Sequence, residues 1–219
     1  MGPNENQPKP VAFHALSRQD APIWSRPLLE CLERSKNDPA SRYGTLATVD
    51  RDLKPKARTV VIRGCFADFN HPDYQDVISD SWDFWMITDA RSAKLEELHH
   101  QPSAEICWYF GVSRIQFRIS GDISIYRQEN CPIRQKAWDI ISDTAKVQFY
   151  WPEPKQVRDG YHQNEFELSD LSATPPENFV VLSLGVENVD QLNLNGNPQN
   201  RYLYQNMECG SWSRDEVNP

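Results

Sequence analysis

Alternation of polar and apolar side chains constrains the fold of this chain more than any other feature. From Arg114 to Ser120 every second residue is polar, and the residues between them are Ile, Phe and Ile. Side chains that alternate in this way point to opposite faces of a β-strand, so one face belongs in a core. The β-branched run Ala57–Ile62 indicates another strand.

Strand patterns recur along most of the sequence, whereas helix patterns are few. The predicted strands are 43–49, 57–62, 82–88, 104–110, 114–126 and 178–194, followed by a hairpin over 202–205 and 211–217. The predicted helices are 22–37, 89–101 and 133–149, and the predicted loops are 69–80 and 151–176. Successive antiparallel strands with a few peripheral helices predict a mainly β (α+β) fold, an antiparallel β-barrel with helical decoration.

The length of 219 residues suits one domain. Residues 1–10 are polar and proline-rich, so we expect a flexible N-terminal tail over residues 1–20 and a single domain over residues 21–219. The opening segment has no apolar core and does not predict a signal peptide.

Charge and cysteine usage exclude several classes of protein. The formal net charge of −8 argues against broad binding to nucleic acid or to an anionic membrane. No apolar run approaches the ~18 residues of a spanning helix. The cysteines are odd in number, scattered and without a C-x-x-C pair, which predicts free thiols in the cytoplasm rather than disulfides or a zinc site. They are Cys31, Cys65, Cys107, Cys131 and Cys209.

A basic island lies inside this acidic chain. Leu53–Ala67 contains no Asp or Glu but has Lys54, Lys56, Arg58 and Arg63. A solvated strand edge explains the two lysines. The two arginines bracket a strand that reads as buried, and a guanidinium in that position needs an anionic partner.

A second basic feature lies where a predicted strand gives way to a helix, from Thr88 to Lys94. The start of a helix offers free N–H groups and the positive end of the helix dipole. Arg91 and Lys94 are disfavoured there, unless an anion such as phosphate binds. Asp89 or Ser92 could cap the helix, which is the purely structural alternative.

Other residues are weaker candidates. Solvent exposure explains the polar face of the 114–120 strand, although the Gln116 amide could also donate to and accept from a ring such as a flavin. The segment Trp108–Phe110 reads as packing, and Glu96–Glu97 as a solvated helix face. The sequence has neither G-x-G-x-x-G nor G-x-S-x-G, which argues against a Rossmann site and a nucleophile elbow. The histidines have no metal-binding spacing.

Together these segments resemble the pyridoxamine 5′-phosphate oxidase family over roughly residues 40–219. Arg58–Arg63 resembles the family's flavin-binding strand, and Thr88–Lys94 resembles the segment that clasps the phosphate of FMN. Gln116 falls where the family has a flavin-contacting Gln. The ending Arg201–Gln205, followed by Trp212, resembles the family's Arg-Phe-Leu-Tyr-Gln ending.

The resemblance implies a split β-barrel with FMN at the interface of a homodimer. It places Arg58 and Lys94 on the phosphate with Thr88, Val60 and Val61 along the ring. Arg63 and Gln116 would lie near the polar edge of the ring, and Arg201 would approach from the partner subunit. The implied cofactor-binding residues are Arg58, Thr59, Val60, Val61, Arg63, Thr88, Arg91, Ser92, Lys94, Gln116 and Arg201. The sequence predicts no metal site, and it does not identify the catalytic residues.

The sequence departs from the family at positions that contact the flavin and at positions that align the substrate. Ala93 precedes Lys94 in place of an Arg, and Leu192 or a neighbour replaces a Trp on the flavin. Asn197–Asn200 replaces an Arg-x-His motif that aligns the substrate. Arg134 and Lys146, on the predicted 133–149 helix, could rebuild a substrate-phosphate site.

These departures leave three hypotheses. The first is an FMN-dependent oxidoreductase with an altered substrate site. The second is a flavin-binding carrier or sensor without turnover, and the third is a barrel without a ligand.

Overall fold

The computed structural model describes residues 13, 16, 18–69, 82–157, 171–207 and 210–219. The strands in this part of the chain are β1 (Tyr43–Val49), β2 (Pro55–Val61), β3 (Gly64–Cys65), β4 (Phe84–Asp89), β5 (Ser103–Phe110), β6 (Ile115–Tyr126), β7 (Phe179–Leu184), β8 (Asn188–Asn193), β9 (Asn200–Asn206) and β10 (Trp212–Val217). The α-helices are α1 (Ser25–Arg34), α2 (Ala93–His100), α3 (Pro132–Ile140) and α4 (Asp143–Val147). Short 3-10 helices cover Pro39–Arg42, Phe66–Phe69 and Gln148–Tyr150.

The strands form one curled antiparallel sheet. Its main path runs β10-β9-β8-β6-β5-β1-β2, and a second branch connects β6 through β7 and β4 to β3. The 12-residue strand β6 joins the two parts, because its first half pairs with β8 and its second half with β7. This architecture confirms the predicted antiparallel split barrel with peripheral helices.

Strand β6 changes partners at Gly121, where the backbone of the opposite segment comes very close. A Cβ atom on Gly121 would lie 1.8 Å from the carbonyl oxygen of Gly185. Gly185 donates its N–H to Asp122 at 2.9 Å, which fixes this close approach. A residue without a side chain is therefore required where the sheet turns its corner.

Two apolar cores explain the pattern of the strands. The barrel interior is filled by alternate residues of the main sheet, among them Leu46, Ile106 and Phe117, and α1 closes it with Leu28. The second core lies between α3 and the other face of β4 and β7, around Trp138. Because β4 and β7 are covered on both faces, they read as almost continuous apolar runs.

The packed core extends into the stretch that the sequence assigns to a flexible tail. Phe13 is buried, with its ring centroid 5.9 Å from that of Trp108, and Leu16 is buried as well. The rest of residues 1–17 lies outside the described residues, and the single domain over 21–219 stays a prediction. In the part of the chain that the structure describes, no helix has the length and hydropathy to cross a membrane.

Three predicted segments differ in detail from the observed ones. The predicted strand 178–194 is two strands, because residues 185–187 carry the chain from one branch of the sheet to the other. The predicted helix 133–149 is broken after Ile140, and the Ser142 side chain caps the new helix α4 by accepting from the backbone N–H of Ala145. The predicted helix 89–101 begins only at Ala93.

The predicted loops fall partly outside the described residues. Residues 70–80 of the first loop and 158–170 of the second are not among them. The described parts of the second loop, 151–157 and 171–176, contain neither helix nor strand, as expected.

Candidate cofactor site

Three polar side chains meet where β4 ends and α2 begins. The ammonium group of Lys94 donates to the Thr88 hydroxyl at 2.7 Å and to the Ser92 hydroxyl at 3.1 Å. The two hydroxyls are themselves 3.1 Å apart. Ser92 is the N-cap residue of α2, yet its side chain makes no capping hydrogen bond. Its hydroxyl is instead directed to Lys94 beside the start of the helix, a position that favours anions.

Arg58 of β2 brings a second cation to this place, because it pairs with Glu97, which lies about one helical turn after Lys94 on α2. Burial lowers the pKa of Lys94, and the nearby Arg58 guanidinium lowers it further. Two partly buried cations side by side repel each other, and a bound anion removes that cost. Arg58, Thr88, Ser92 and Lys94 therefore form a site with the donors that a phosphate group requires; we call it the phosphate cradle.

Glu97 is the anionic partner of Arg58 in the protein. Both Glu97 and Arg58 also contact Thr48 of β1, and the Thr48 hydroxyl donates to the carboxylate at 2.6 Å. The expectation that Glu96–Glu97 forms a solvated helix face is wrong for Glu97, which is only 7% exposed. It holds for Glu96, which is exposed and pairs with Arg51.

Helix periodicity could have identified Glu97 in the sequence. It lies three residues after Lys94, so both side chains project from the same face of α2. The basic island already indicates that Arg58 needs an acidic partner, and Glu97 is an acidic residue on that face.

Arg91 lies next to the cradle but is committed elsewhere. Its guanidinium forms two hydrogen bonds with the Asp89 carboxylate, at 2.9 and 2.7 Å, and a third with the carbonyl of Trp151 at 3.0 Å. The hydrogen bonds with Asp89 raise the pKa of Arg91. Arg91 thus orders the turn before α2 and anchors the 151–157 loop beside it.

Arg63 lies just past the other end of β2. Its backbone N–H donates to the carbonyl of Trp85 at 2.9 Å, whereas its buried Nε has no hydrogen-bond partner among the described residues. Burial, and then the nearby guanidinium of Arg42, lower the pKa of Arg63. Five residues of extended chain separate Arg63 from Arg58, about 16 Å. The two arginines therefore suit opposite ends of an elongated ligand rather than one phosphate.

The remaining predicted residues lie on the sheet itself. Thr59 and Val61 project from the outer face of β2, whereas Val60 projects inward and is buried in the barrel core. Val60 and Val61 therefore lie on opposite faces of the sheet, as strand alternation requires.

Gln116 and Arg201 occupy the same outer face, on other strands. Gln116 pairs in register with Leu192, and Leu192 pairs with Arg201. Arg201 is five strands from β2, about 24 Å along the sheet. Within one chain the sheet therefore brings Gln116 and Arg201 near each other but keeps Arg201 away from the cradle.

The outer face also carries a charged cluster that the sequence did not reveal. The Asp190 carboxylate accepts two hydrogen bonds from Arg201, at 2.9 and 2.6 Å, and one from Arg118 at 2.9 Å. Arg118 and Asp190 are register partners on β6 and β8. Strand alternation places Arg118 on the same face as Gln116. Only the pairing of β6 with β8 identifies Asp190 as the partner of Arg118.

The two residues considered for a rebuilt substrate-phosphate site have other roles. Arg134 is 1% exposed and donates to the carbonyls of Gln128, Pro176 and Phe179 at 2.9, 2.7 and 2.9 Å. Its guanidinium is therefore a structural clamp, and the idea that it binds substrate phosphate is wrong. Lys146 lies over the Trp138 ring, 5.5 Å from the centroid.

Neither a metal-ligand cluster nor a disulfide occurs among the described residues. Within the described ranges no group of three His, Cys, Asp or Glu residues could hold a metal ion. The four described cysteines are free thiols, as the sequence predicts, and Cys209 lies outside the described residues.

Comparisons with known proteins identify relatives of this chain. Residues 21–127 match the family described as pyridoxamine 5′-phosphate oxidase, FMN-binding domain. The chain is 32% identical over 205 residues to pyridoxine/pyridoxamine 5′-phosphate oxidase 2 of Arabidopsis thaliana, an alignment that covers 90% of this chain and 96% of the plant protein.

Solved structures show the same fold. A pyridoxamine 5′-phosphate oxidase-related, FMN-binding protein from Nostoc punctiforme is 35% identical, with a TM-score of 0.79 over 93% of this chain and all of that one (100%). PhzG from Burkholderia lata, solved with tetrahydrophenazine-1-carboxylic acid, is 16% identical, with a TM-score of 0.70 over 97% of this chain and 100% of that one. At that identity the likeness to PhzG shows the fold alone.

Proposed function

Because the chain belongs to the pyridoxamine 5′-phosphate oxidase family, with FMN as the cofactor, we propose that it is an FMN-dependent oxidoreductase whose substrate site differs from that of its relatives. The observation that carries the proposal is the phosphate cradle. Arg58 and Lys94 come together from separate elements, beside the hydroxyls of Thr88 in β4 and of Ser92 at the start of α2. Such a donor set fits a terminal phosphate, and the sequence has no dinucleotide fingerprint that would favour a larger cofactor.

The residues divide the work of holding the flavin. Arg58 and Lys94 would neutralise the phosphate, and Thr88 and Ser92 would donate hydroxyl hydrogen bonds to it. Arg63, whose buried Nε has no partner in the part of the chain that the structure describes, would serve the polar edge of the ring. Thr59 and Val61 would line the ring from the outer face of β2. When bound, FMN supplies the redox chemistry, and the protein supplies position and electrostatics.

The substrate site is the part that we propose to be altered. The stretch Asn197–Asn200 stands where the family resemblance expects Arg-x-His, and Arg134 is occupied by backbone carbonyls. Each charge-assisted hydrogen bond contributes about 1.5–3 kcal/mol. Loss of two such groups lowers the rate on a phosphorylated pyridoxamine by roughly two to four orders of magnitude, at 1.36 kcal/mol per tenfold.

A homodimer completes the proposed site. Tyr43, Tyr109 and Leu203 are 48, 49 and 39% exposed in the single chain, although all three are large apolar side chains of the sheet. A second copy on the outer face would cover them and bring its own Arg201 towards the flavin of its partner. Light scattering should therefore show a dimer when flavin is bound, and a flavin-saturated monomer would contradict this.

The free thiols support a cytoplasmic location.

A flavin carrier or sensor without turnover is the second candidate. The departure over Asn197–Asn200 favours it, because it removes substrate alignment and leaves the cradle intact. The two candidates differ in whether the bound flavin is reduced and reoxidised in cycles.

Steady-state assays of fully FMN-loaded protein separate these functions. The first assay follows pyridoxal 5′-phosphate formation from pyridoxamine 5′-phosphate with oxygen, and the second follows hydrogen peroxide release with a panel of reductants. We expect weak or no turnover in the first and measurable turnover in the second. A specificity constant at or above ~10⁴ M⁻¹s⁻¹ on pyridoxamine 5′-phosphate would contradict the altered site. No turnover with any reductant would favour the carrier.

A further inference from the structure

We propose that Glu97 and Thr48 form a positioning pair, which holds Arg58 ready for the flavin phosphate and makes flavin binding depend on that phosphate. The inference rests on the proposed FMN site and deepens it. Neither residue belongs to the phosphate cradle, and neither is implied by the family resemblance.

The Arg58 guanidinium is held by two other side chains. One terminal nitrogen of its guanidinium donates to the Glu97 carboxylate and the other donates to the Thr48 hydroxyl. Thr48 in turn donates to the same carboxylate oxygen at 2.6 Å. The three side chains therefore close a ring of hydrogen bonds, and the flexible arginine is fixed from two directions.

The positioning pair is shielded from solvent. Thr48 and Glu97 are both buried, whereas Arg58 keeps part of its surface open. An ion pair in solvent would leave Arg58 free to adopt other rotamers and would contribute little. A buried carboxylate that already holds one hydroxyl hydrogen bond instead presents the guanidinium in a single orientation.

Glu97 also acts on Lys94, the second cation of the cradle. Glu97 raises the pKa of Lys94, whereas Arg58 lowers it, so the carboxylate offsets the repulsion between the two cations of the cradle. Helix α2 thus supplies both Lys94 and the group that orients Arg58. Any shift of α2 moves both halves of the cradle together.

A purely structural role is the alternative. The ring joins β1, β2 and α2, so it could simply stabilise the fold. If the role is purely structural, removing Glu97 or Thr48 should weaken the binding of FMN and of riboflavin equally. If the pair positions Arg58, only the affinity for the phosphorylated FMN should fall.

The experiment compares the dissociation constants of FMN and riboflavin by quenching of flavin fluorescence. The variants are Glu97→Ala, Glu97→Gln and Thr48→Val, with the exposed neighbour Glu96→Ala as matched control. We expect Glu97→Ala to weaken FMN binding about tenfold and to leave riboflavin binding within twofold. Glu97→Gln should stay within threefold of the wild type for FMN, because its amide oxygen still accepts from the guanidinium. Glu96→Ala should change neither constant.

A double-mutant cycle removes the remaining ambiguity. In the Arg58→Ala background, adding Glu97→Ala should cause no further loss of FMN affinity, since there is no guanidinium left to position. Additive losses, equal losses for FMN and riboflavin, or an unchanged FMN constant in Glu97→Ala would each overturn the inference. If Glu97→Ala does not fold, Thr48→Val carries the same cycle.

Failure of the proposed FMN site gives a different result. In that case the wild-type protein would bind riboflavin as tightly as FMN, and Arg58→Ala would change neither constant. If Arg58→Ala weakens FMN binding but Glu97→Ala does not, only the positioning pair is overturned.

Discussion

Replacement of Lys94 by Met should make the flavin-free protein more stable while it weakens FMN binding. Burial and the neighbouring Arg58 guanidinium lower the pKa of Lys94, so the folded state disfavours the charged ammonium. The penalty is present at neutral pH, and it disappears as pH rises above the ordinary pKa of lysine. Methionine has a similar length and no charge, so it removes the penalty without leaving a large cavity.

The structure sets the size of both effects. Lys94→Met removes two hydrogen bonds to hydroxyls, but Thr88 and Ser92 remain 3.1 Å apart and can satisfy each other. We expect a net gain of about 1 kcal/mol, within the range of functional-site replacements that relieve a destabilised group. For a chain of this size that is a rise in Tm of about 2–4 °C. Loss of one charge-assisted contact to phosphate, about 1.5–3 kcal/mol, should weaken FMN binding roughly 10- to 100-fold.

Urea unfolding of flavin-free protein measures the first quantity, and a fluorescence titration with FMN measures the second. Lys94→Arg is the matched control, because it keeps the charge and should keep both the stability penalty and part of the affinity. The reasoning is refuted if Lys94→Met loses stability, or if it binds FMN as tightly as the wild type.

Three further outcomes follow from particular contacts. FMN affinity should fall as pH rises through the lowered pKa of Lys94, because the phosphate favours the charged ammonium. It should also fall below about pH 6, where the phosphate dianion takes up a proton and becomes a monoanion; a flat titration between pH 5 and 10 would contradict this. Arg134→Met should lower the free energy of unfolding by about 3 kcal/mol, because three carbonyls lose their donor, with FMN affinity unchanged; a normal urea midpoint would show that the clamp is unimportant. Gly121→Ala should prevent soluble folding, because its Cβ would meet the Gly185 carbonyl at 1.8 Å, and a soluble variant of wild-type Tm would contradict the corner geometry.

The sequence predicts the fold well because its signal is local. Alternation and β-branched runs placed most of the strands, and the final hairpin was correctly paired. The division of 178–194 into β7 and β8 was missed. The apolar run of β7 continues through Val186 and Val189, so the sequence reads as one strand. The break depends on the long-range pairing of β6 with both strands.

The candidate site was predictable where charge conflicts with its surroundings. Arg58 and Lys94 stood out because an acid-free strand and a helix start are poor places for cations. Glu97 was missed because an isolated acidic pair on a helix resembles a solvated face. Its spacing from Lys94 and the need of Arg58 for an acidic partner identify it only when the two are combined. Asp190 was missed for the same reason, since its partners Arg118 and Arg201 lie on other strands.

The flavin content of the purified protein tests the central claim most directly. The protein should be yellow, or become yellow on titration with FMN, and heat release should yield one FMN per chain and no FAD. Arg58→Ala prepared in the same way should lose most of that flavin while it keeps the wild-type circular dichroism spectrum. Protein that stays colourless and does not bind added FMN would contradict the account.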